Sequence, residues 1–377
     1  MNKKIKILLI SPTCFPSKGG IQSYIKNVLF CLKEYVDIDI LTSNIGFKKF
    51  DKKIIDGFLI QEVPAIAPND SFYISPWLVN FFKKIVKNYD IVHFHGYHNL
   101  FPLVMFFAGK KPIVMTPHYH TKPKKRTRDL LFKIYNLIFG RFLFSRSNHI
   151  IVNNKISKGV LLKQFKICPS KITILHEGVI NHCRYSKTKK GRINNPNFLY
   201  VGRFERNKGI FRVLEVFTRI SRKYKEATLN FVGSGTEKEN LLRLIKMKKL
   251  EKKVKIYSNI PDSELSKLYC KADIFLMLSD YESFGIALAE AIASGIPSIG
   301  VNRGGVVEYA INRENCLLVN NPDEYEQINQ LTQELIENDK LRNKISKNGM
   351  KLIDNFSWKK NALLTLKIYK KLIDEEV

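Results

Sequence analysis

Short apolar runs, many ending in Gly, Pro, Ser or His, alternate with amphipathic stretches of helical period along most of the chain, and the whole alternation occurs twice. Strands kept apart by helices cannot pair as hairpins, so the pattern commits the chain to β-α-β units and parallel sheets. In the first half the strand candidates are 5–10, 38–41, 58–63, 91–94, 113–116, 149–152 and 172–175, with helices over 21–34, 76–88, 128–144 and 157–165. A polar, basic stretch at 181–197 interrupts the alternation. Strands at 198–201, 228–232, 254–257, 274–278, 297–300 and 317–319 follow, with helices over 209–223, 237–249, 262–271 and 284–294. The expected fold is α/β, with two Rossmann-like, doubly wound domains: 1–180, a linker at 181–197, then 198–355, and a C-terminal helix at 356–377 returning to the first domain. Such sheets bind ligands beyond the carboxyl ends of their strands.

The densest chemical signal is SDYESFGIALAEAIAS, residues 279–294, which places Glu282 and Glu290 eight residues apart after a strand candidate. With a helix beginning near Phe284, Glu282 lies in the strand-end loop and Glu290 about two turns inside the helix. The N–H groups of Phe284, Gly285 and Ile286 then stand at the positive end of the helix dipole, which favours a phosphate. Flanking carboxylates suit sugar hydroxyls, which need acceptors. On the helix alone the alternative stays open, with Glu282 a dipole partner and Glu290 in a salt bridge.

Upstream, VGRFERNKG puts Arg203 and Lys208 on a strand-to-helix loop of the same sheet, either as a diphosphate clamp or as solvated loop cations. VGSGTEKENL brings Gly233 and Gly235 to the next loop, where bare backbone can approach a ligand. The third glycine of a dinucleotide fingerprint is missing. In the first half, SPTCFPSKGGIQSYI places Gly19 and Gly20 before a helix, open to a phosphate or sugar or serving as a plain helix start. HFHGYH and TPHYH bring His93, His95, His98, His118 and His120 to one sheet edge. No Cys or carboxylate joins them at a zinc-like spacing, so no metal is expected. His118 is read as a hydrogen-bonding group, and His93 and His95 as supports of the edge.

Together these segments resemble the retaining glycosyltransferases of family four, which have the GT-B fold, over nearly the whole chain. ESFGIALAE, GRFERNKG, VGSGTEKENL, DSELSKLYCKADIFLMLSDYESFG and GGVVEYAINRENCLLVNNPDE occur in the family's order, and SKGGIQSY, DIVHFHG and TPHYH match its first domain. The resemblance implies a hexose donor linked to a nucleoside diphosphate, UDP or GDP, held mainly by the second domain. It implies Arg203 and Lys208 on the diphosphate and Glu290 on the ribose. Glu282 and the backbone of Phe284, Gly285 and Ile286 would hold the transferred sugar, with His118, Gly19 and Gly20 closing over it. The base would sit near Ser258 and Asn259. The resemblance further implies transfer to a hydroxyl with retention, without metal, cofactor or covalent glycosyl-enzyme. Two departures stand out: EGVIN at 177–181 where the family commonly has Asn-Gly-Val-Asp, and Ser258–Asn259 in place of a glycine-aromatic pair. A GT-B epimerase or phosphorylase would share the same folds.

The 63 Lys+Arg against 34 Asp+Glu, a net charge of +29, suit nucleic acid, an anionic membrane or anionic substrates, and coding bias explains the same excess. Nucleic-acid binding has charge alone behind it. No apolar run reaches the roughly 20 residues of a spanning helix and no secretory signal is recognisable, so a cytoplasmic location is expected, with peripheral contact at the inner face of the cell membrane. That contact rests on Lys122, Lys124, Lys125, Arg126 and Arg128 ahead of an apolar face of Leu130, Leu131, Ile134, Leu137, Ile138, Phe142 and Phe144, interrupted by Lys133 and Arg141. A lipid-linked acceptor or growing surface polysaccharide would enter there. Alternatively the same positions pack the helix on its sheet. Six cysteines scattered without a C-x-x-C pair read as reduced and metal-free.

Overall fold

A strand buried on both faces reads as an unbroken apolar run. KILLI at Lys6–Ile10 (β1) behaves so, with Ile7, Leu8, Leu9 and Ile10 at most 2% exposed. The computed structural model describes residues 4–17, 19–46, 49–67, 73–118, 132–183 and 191–375. The chain divides into two units, Met1–Glu177 with Trp358–Val377, and Gly178–Ser357.

In the first unit β1 is joined by β2 (Asp37–Ile45), β3 (Asp51–Ile55), β4 (Phe58–Ala65), β5 (Ile91–His95), β6 (Ile113–Thr116), β7 (His149–Val152) and β8 (Ile172–Ile174) in the order β3-β4-β2-β1-β5-β6-β7-β8. All neighbours are parallel except β3 and β4. The charged strand β3, DKKII, lies outside the sequence expectation. It exists because Asp56 and Gly57 take φ 55° and 87°, the paired positive φ of a two-residue hairpin turn. The helix Trp358–Asp374 packs in this unit: Tyr24 stacks edge-on to Trp358 and reaches Asn361 Oδ1 at 3.3 Å, and Tyr369 meets His93.

The second unit orders β9 (Asn197–Val201), β10 (Thr228–Val232), β11 (Val254–Tyr257), β12 (Ile274–Leu276), β13 (Ser298–Val301) and β14 (Leu317–Val319) as β11-β10-β9-β12-β13-β14, all parallel. The described parts of the stretch read as a linker are fastened to this unit. Ile193 is 2% exposed, its N–H donates to Ile336 O, and the His182 N–H donates to Ser294 Oγ.

Cys183 and Cys270 form a disulfide, their Cα atoms 5.4 Å apart. This corrects the reading of every cysteine as a reduced thiol. The two are 87 residues apart in sequence, and only the docking of residues 179–183 beside the helix Asp262–Lys271 brings them together. Cys14, Cys31, Cys168 and Cys316 are free. Among the described residues no helix is long and apolar enough to cross a membrane.

Candidate functional site

β9 and β12 are adjacent parallel strands at the centre of the second sheet, so the loops after them leave from one carboxyl edge. Lys208 ends a 3-10 turn after β9, and Glu282 lies in the loop after β12. Lys208 Nζ donates to Glu282 Oε2 at 2.7 Å, with the side chains 18% and 14% exposed. The two loops are stitched by backbone and hydroxyl groups. Asp280 N donates to Asn207 O (2.9 Å), Ser279 Oγ to Lys208 O (3.3 Å), and Tyr200 Oη to the carbonyls of Arg203 and Lys208 (3.1 and 3.3 Å). Arg212 fastens the same edge by bonding Asp280 Oδ1 at 2.7 Å and Asp323 Oδ1 at 2.6 Å. Arg203 stands differently from Lys208: its side chain is 53% exposed and pairs with Glu205 at 2.9 Å.

The helix after Glu282 spans Ile286–Ala293, two residues later than the start expected at Phe284. Gly285 is its N-cap at φ 86°, ψ 54°, a left-handed conformation that no residue inside a right-handed helix adopts. The first helical bond is Ala289 N to Gly285 O, so the amides of Ile286, Ala287 and Leu288 are the ones left without intrahelical partners. Phe284 packs instead, 1% exposed with its ring 4.9 Å from Tyr309 and 5.6 Å from Phe356. Gly304 and Gly305, which sequence reasoning did not single out, press against this loop. Gly305 N donates to Glu282 O at 2.8 Å, and a Cβ on either glycine would collide with loop carbonyl oxygens.

Glu290 lies a full turn into the helix. Tyr269 Oη donates to Ala287 O at 3.2 Å and lies 3.5 Å from Glu290 Oε2, which sits 3.4 Å from His182 Nε2. Burial, then the Glu290 carboxylate, push the Tyr269 phenol well above its ordinary pKa, so it remains a donor. The His182 ring stacks on Tyr269 at 4.2 Å and 4°, and its Nδ1 meets Ser266 Oγ at 2.9 Å. No sequence signal pointed to His182, which falls in the polar stretch read as a linker.

Gly233 takes φ 148°, and a Cβ there would run into Gly202 O. Its close approach is therefore to the protein's own neighbouring loop, where Phe204 N donates to Ser234 O at 2.7 Å and Glu237 N to Phe204 O at 2.9 Å. Ser258 Oγ donates to Gly233 O at 2.8 Å, and Asn259 is exposed with φ 55°, a conformation Asn tolerates.

In the first unit the histidines form a ring cluster. His93 and His95 are each 3% exposed, and His93 meets Tyr369 Oη at 2.6 Å through Nδ1 and Thr116 Oγ1 at 2.8 Å through Nε2. Burial, then the His118 charge, hold His93 down at about 3. His118, at φ 46° and half-buried, meets His95 Nδ1 through Nε2 at 3.1 Å. His98 stacks on Phe132 at 4.0 Å, and His120 lies outside the described residues. Gly19 precedes the helix Gly20–Leu32 in extended backbone, and nothing stands within 4 Å of where a Cβ on Gly20 would be. Lys122, Lys124, Lys125, Arg126 and Arg128 also lie outside the described residues, as do Leu130 and Leu131.

Residues 186–352 match the family model described as Glycosyl transferases group 1, and residues 18–180 match Glycosyltransferase Family 4. An uncharacterized glycosyltransferase of Methanocaldococcus jannaschii is 25% identical over 376 residues, 98% of this chain and 99% of that protein. A sucrose-phosphate synthase from Thermosynechococcus elongatus superposes with TM-score 0.77 at 20% identity, covering 99% of this chain and 100% of that one. An Anabaena protein solved in complex with UDP and glucose does so with TM-score 0.76 at 16% identity, covering 97% and 100%.

Proposed function

We propose that this chain, which belongs to the group 1 glycosyltransferases of the GT-B fold, transfers a hexose from a UDP- or GDP-sugar to a hydroxyl acceptor with retention of configuration. The observation carrying the reading is the Lys208–Glu282 pair at the carboxyl edge of the second sheet, with Glu282 in the loop before the helix whose first amides, Ile286 and Ala287, lack intrahelical partners. A cation and helix-terminal N–H groups suit the diphosphate, and a carboxylate suits a sugar hydroxyl. The Anabaena neighbour's complex with UDP and glucose supports a uridine nucleotide.

In this reading the bond from the sugar's anomeric carbon to the diphosphate oxygen breaks while the acceptor oxygen bonds to that carbon from the same face. The acceptor's proton passes to the departing phosphate oxygen. Lys208, Arg203 and the helix terminus stabilise the charge that grows on the leaving group, a task a metal ion performs in other transferases. Glu282 holds the sugar, Glu290 accepts from the ribose, and Ser258 and Asn259 lie on the side of the base.

The test is to incubate the protein with UDP-, GDP- and ADP-hexoses, with and without a chelator, and to follow donor loss and the anomeric configuration of the product by NMR. A new glycoside of inverted configuration, release of a free epimer, or turnover abolished by the chelator would overturn the proposal.

A further inference from the structure

A helix that is apolar all round is buried on every side in a stable soluble fold, because an uncovered apolar face contributes nothing to stability. Residues 132–146 of the first unit form a helical run rich in Leu, Ile and Phe on more than one face, with a π-turn at Asn136–Gly140 and an α-helix at Arg141–Arg146. One face is packed: Tyr135, Leu143 and Phe144 are at most 5% exposed within the core that includes Tyr97 and Phe165. The other face is open and carries apolar side chains between Lys133 and Arg141, with Leu137 84% exposed, Ile138 59%, Ile134 45% and Phe142 40%. The sequence offered two readings of these positions, packing on the sheet or contact with a membrane. The structure gives the packing role to Tyr135, Leu143 and Phe144 and leaves the second set uncovered.

The open face continues onto a neighbouring turn, where Phe106 stacks on Phe142 at 4.0 Å and 8°, and Phe107 is 41% exposed beneath Lys83, whose Nζ lies 4.1 Å from the ring centroid. Among the described residues from Leu78 to Ser147 there are eight lysines and arginines, Lys83, Lys133 and Arg141 among them, and one acid, Asp90. An apolar stripe with exposed aromatics inside a field of one charge is the composition of a helix lying in the plane of an anionic bilayer, side chains in the acyl boundary and cations at the headgroups. A second copy of this chain is a poor occupant, since a two-fold contact would set the same cations against one another on a protein of net charge +29.

We infer that the face formed by Ile134, Leu137, Ile138 and Phe142 with Phe106 and Phe107 seats the first unit on an anionic membrane surface. The inference goes beyond the transfer reaction and gives it a location, since an acceptor held in the bilayer would be met there.

The test is flotation with vesicles of phosphatidylcholine alone and of phosphatidylcholine with phosphatidylglycerol, at low and physiological salt. Wild type should float with the anionic vesicles. Leu137→Ser with Ile138→Ser removes two exposed side chains without touching the core and should weaken partitioning by about tenfold or more at either salt. Lys133→Ser with Arg141→Ser should weaken it by about fivefold per cation, chiefly at low salt. Donor hydrolysis without vesicles should be unchanged in the Leu137/Ile138 variant, so failure of the membrane inference and failure of the transfer reading are separate results. Three outcomes overturn the inference: no flotation with anionic vesicles, equal flotation of wild type and the Leu137/Ile138 variant, or self-association in sedimentation that the same variant abolishes while vesicle binding is absent. Capture by an acidic protein that the variant abolishes, again without flotation, assigns the face to a protein partner and overturns it too.

Discussion

Replacing Glu282 by Gln should tighten the binding of a bare nucleoside diphosphate, although Glu282 lies in the proposed donor site. The reason is that Lys208 is held by this carboxylate, Nζ to Oε2 at 2.7 Å, with both side chains less than a fifth exposed. At that separation the gross Coulomb attraction is about 6 kcal/mol at an effective dielectric constant of about 20. Desolvating the two ions cancels most of it, and a charge-assisted hydrogen bond retains about 1.5 to 3 kcal/mol. A diphosphate arriving at Lys208 must share the ammonium's three donors with Glu282, and it meets the carboxylate's negative charge besides. If sharing sacrifices about 1 kcal/mol of the pair, removing the charge returns about fivefold in affinity. Titration calorimetry with UDP and GDP should therefore show Glu282→Gln about fivefold tighter than wild type and Lys208→Met about tenfold weaker. The double variant should lose the gain, because the gain acts through Lys208. Transfer should nevertheless fall about a hundredfold in each single variant, since both groups act on the reacting sugar phosphate. The reasoning fails if Glu282→Gln binds nucleotide more weakly than wild type, or if the gain survives without Lys208.

Glu290→Gln should weaken nucleotide binding about tenfold, because it removes the carboxyl group proposed to accept from the ribose. His182→Ala, which removes the ring 3.4 Å from that carboxylate, should weaken it several-fold without changing the KM for the acceptor, both read by the same calorimetry and by initial rates. Gly233→Ala forces a side chain against Gly202 O at φ 148° and should cost roughly 2 kcal/mol or more in urea unfolding, so an unchanged midpoint would contradict the loop packing. Reducing the Cys183–Cys270 disulfide, or Cys183→Ser, should lower stability by about 4 to 5 kcal/mol on the chain-entropy account for a separation of 87 residues. His93 is held near 3 in the fold against about 6.5 unfolded, so its contribution to stability is whole above about pH 6.5 and is lost as pH falls towards 3. Urea unfolding should record up to about 1.4 kcal/mol lost per pH unit in that window from this group, and His93→Gln should flatten the slope.

The parallel core of both sheets was legible because strands covered on both faces cannot hide their composition: β1, β6 and β7 are largely apolar runs in sequence and are buried almost throughout. Strand β3 was not. DKKII at the sheet's edge has little apolar content to mark it, and its signal is the Asp56–Gly57 hairpin pair, which an alternation of strands and helices does not register. The start of the helix after Glu282 was misplaced for a related reason. Phe284 continues the apolar period of ESFGIALAE, and periodicity cannot tell a side chain packed ahead of a helix from one packed inside it, whereas Gly285 at φ 86° decides the matter.

The site residues divide along the same line. Lys208 and Glu282 were found separately, each by its place after a strand, because motif spacing reports position within one β-α unit. That they meet depends on β9 and β12 being neighbours, which is a property of strand order, and the order β11-β10-β9-β12-β13-β14 brings two groups 74 positions apart in sequence to 2.7 Å. His182, Tyr269 and Glu290 converge in the same way from three unconnected segments, and Cys183–Cys270 joins two of those segments one residue further along each. The consequence is electrostatic. A chain of net charge +29 carries, at the edge proposed to receive a diphosphate, a lysine already balanced by a carboxylate and an arginine already balanced by Glu205. The positive potential that draws in an anionic donor therefore belongs to the surface as a whole, while the local pairs decide how the phosphate and the sugar are told apart once it arrives.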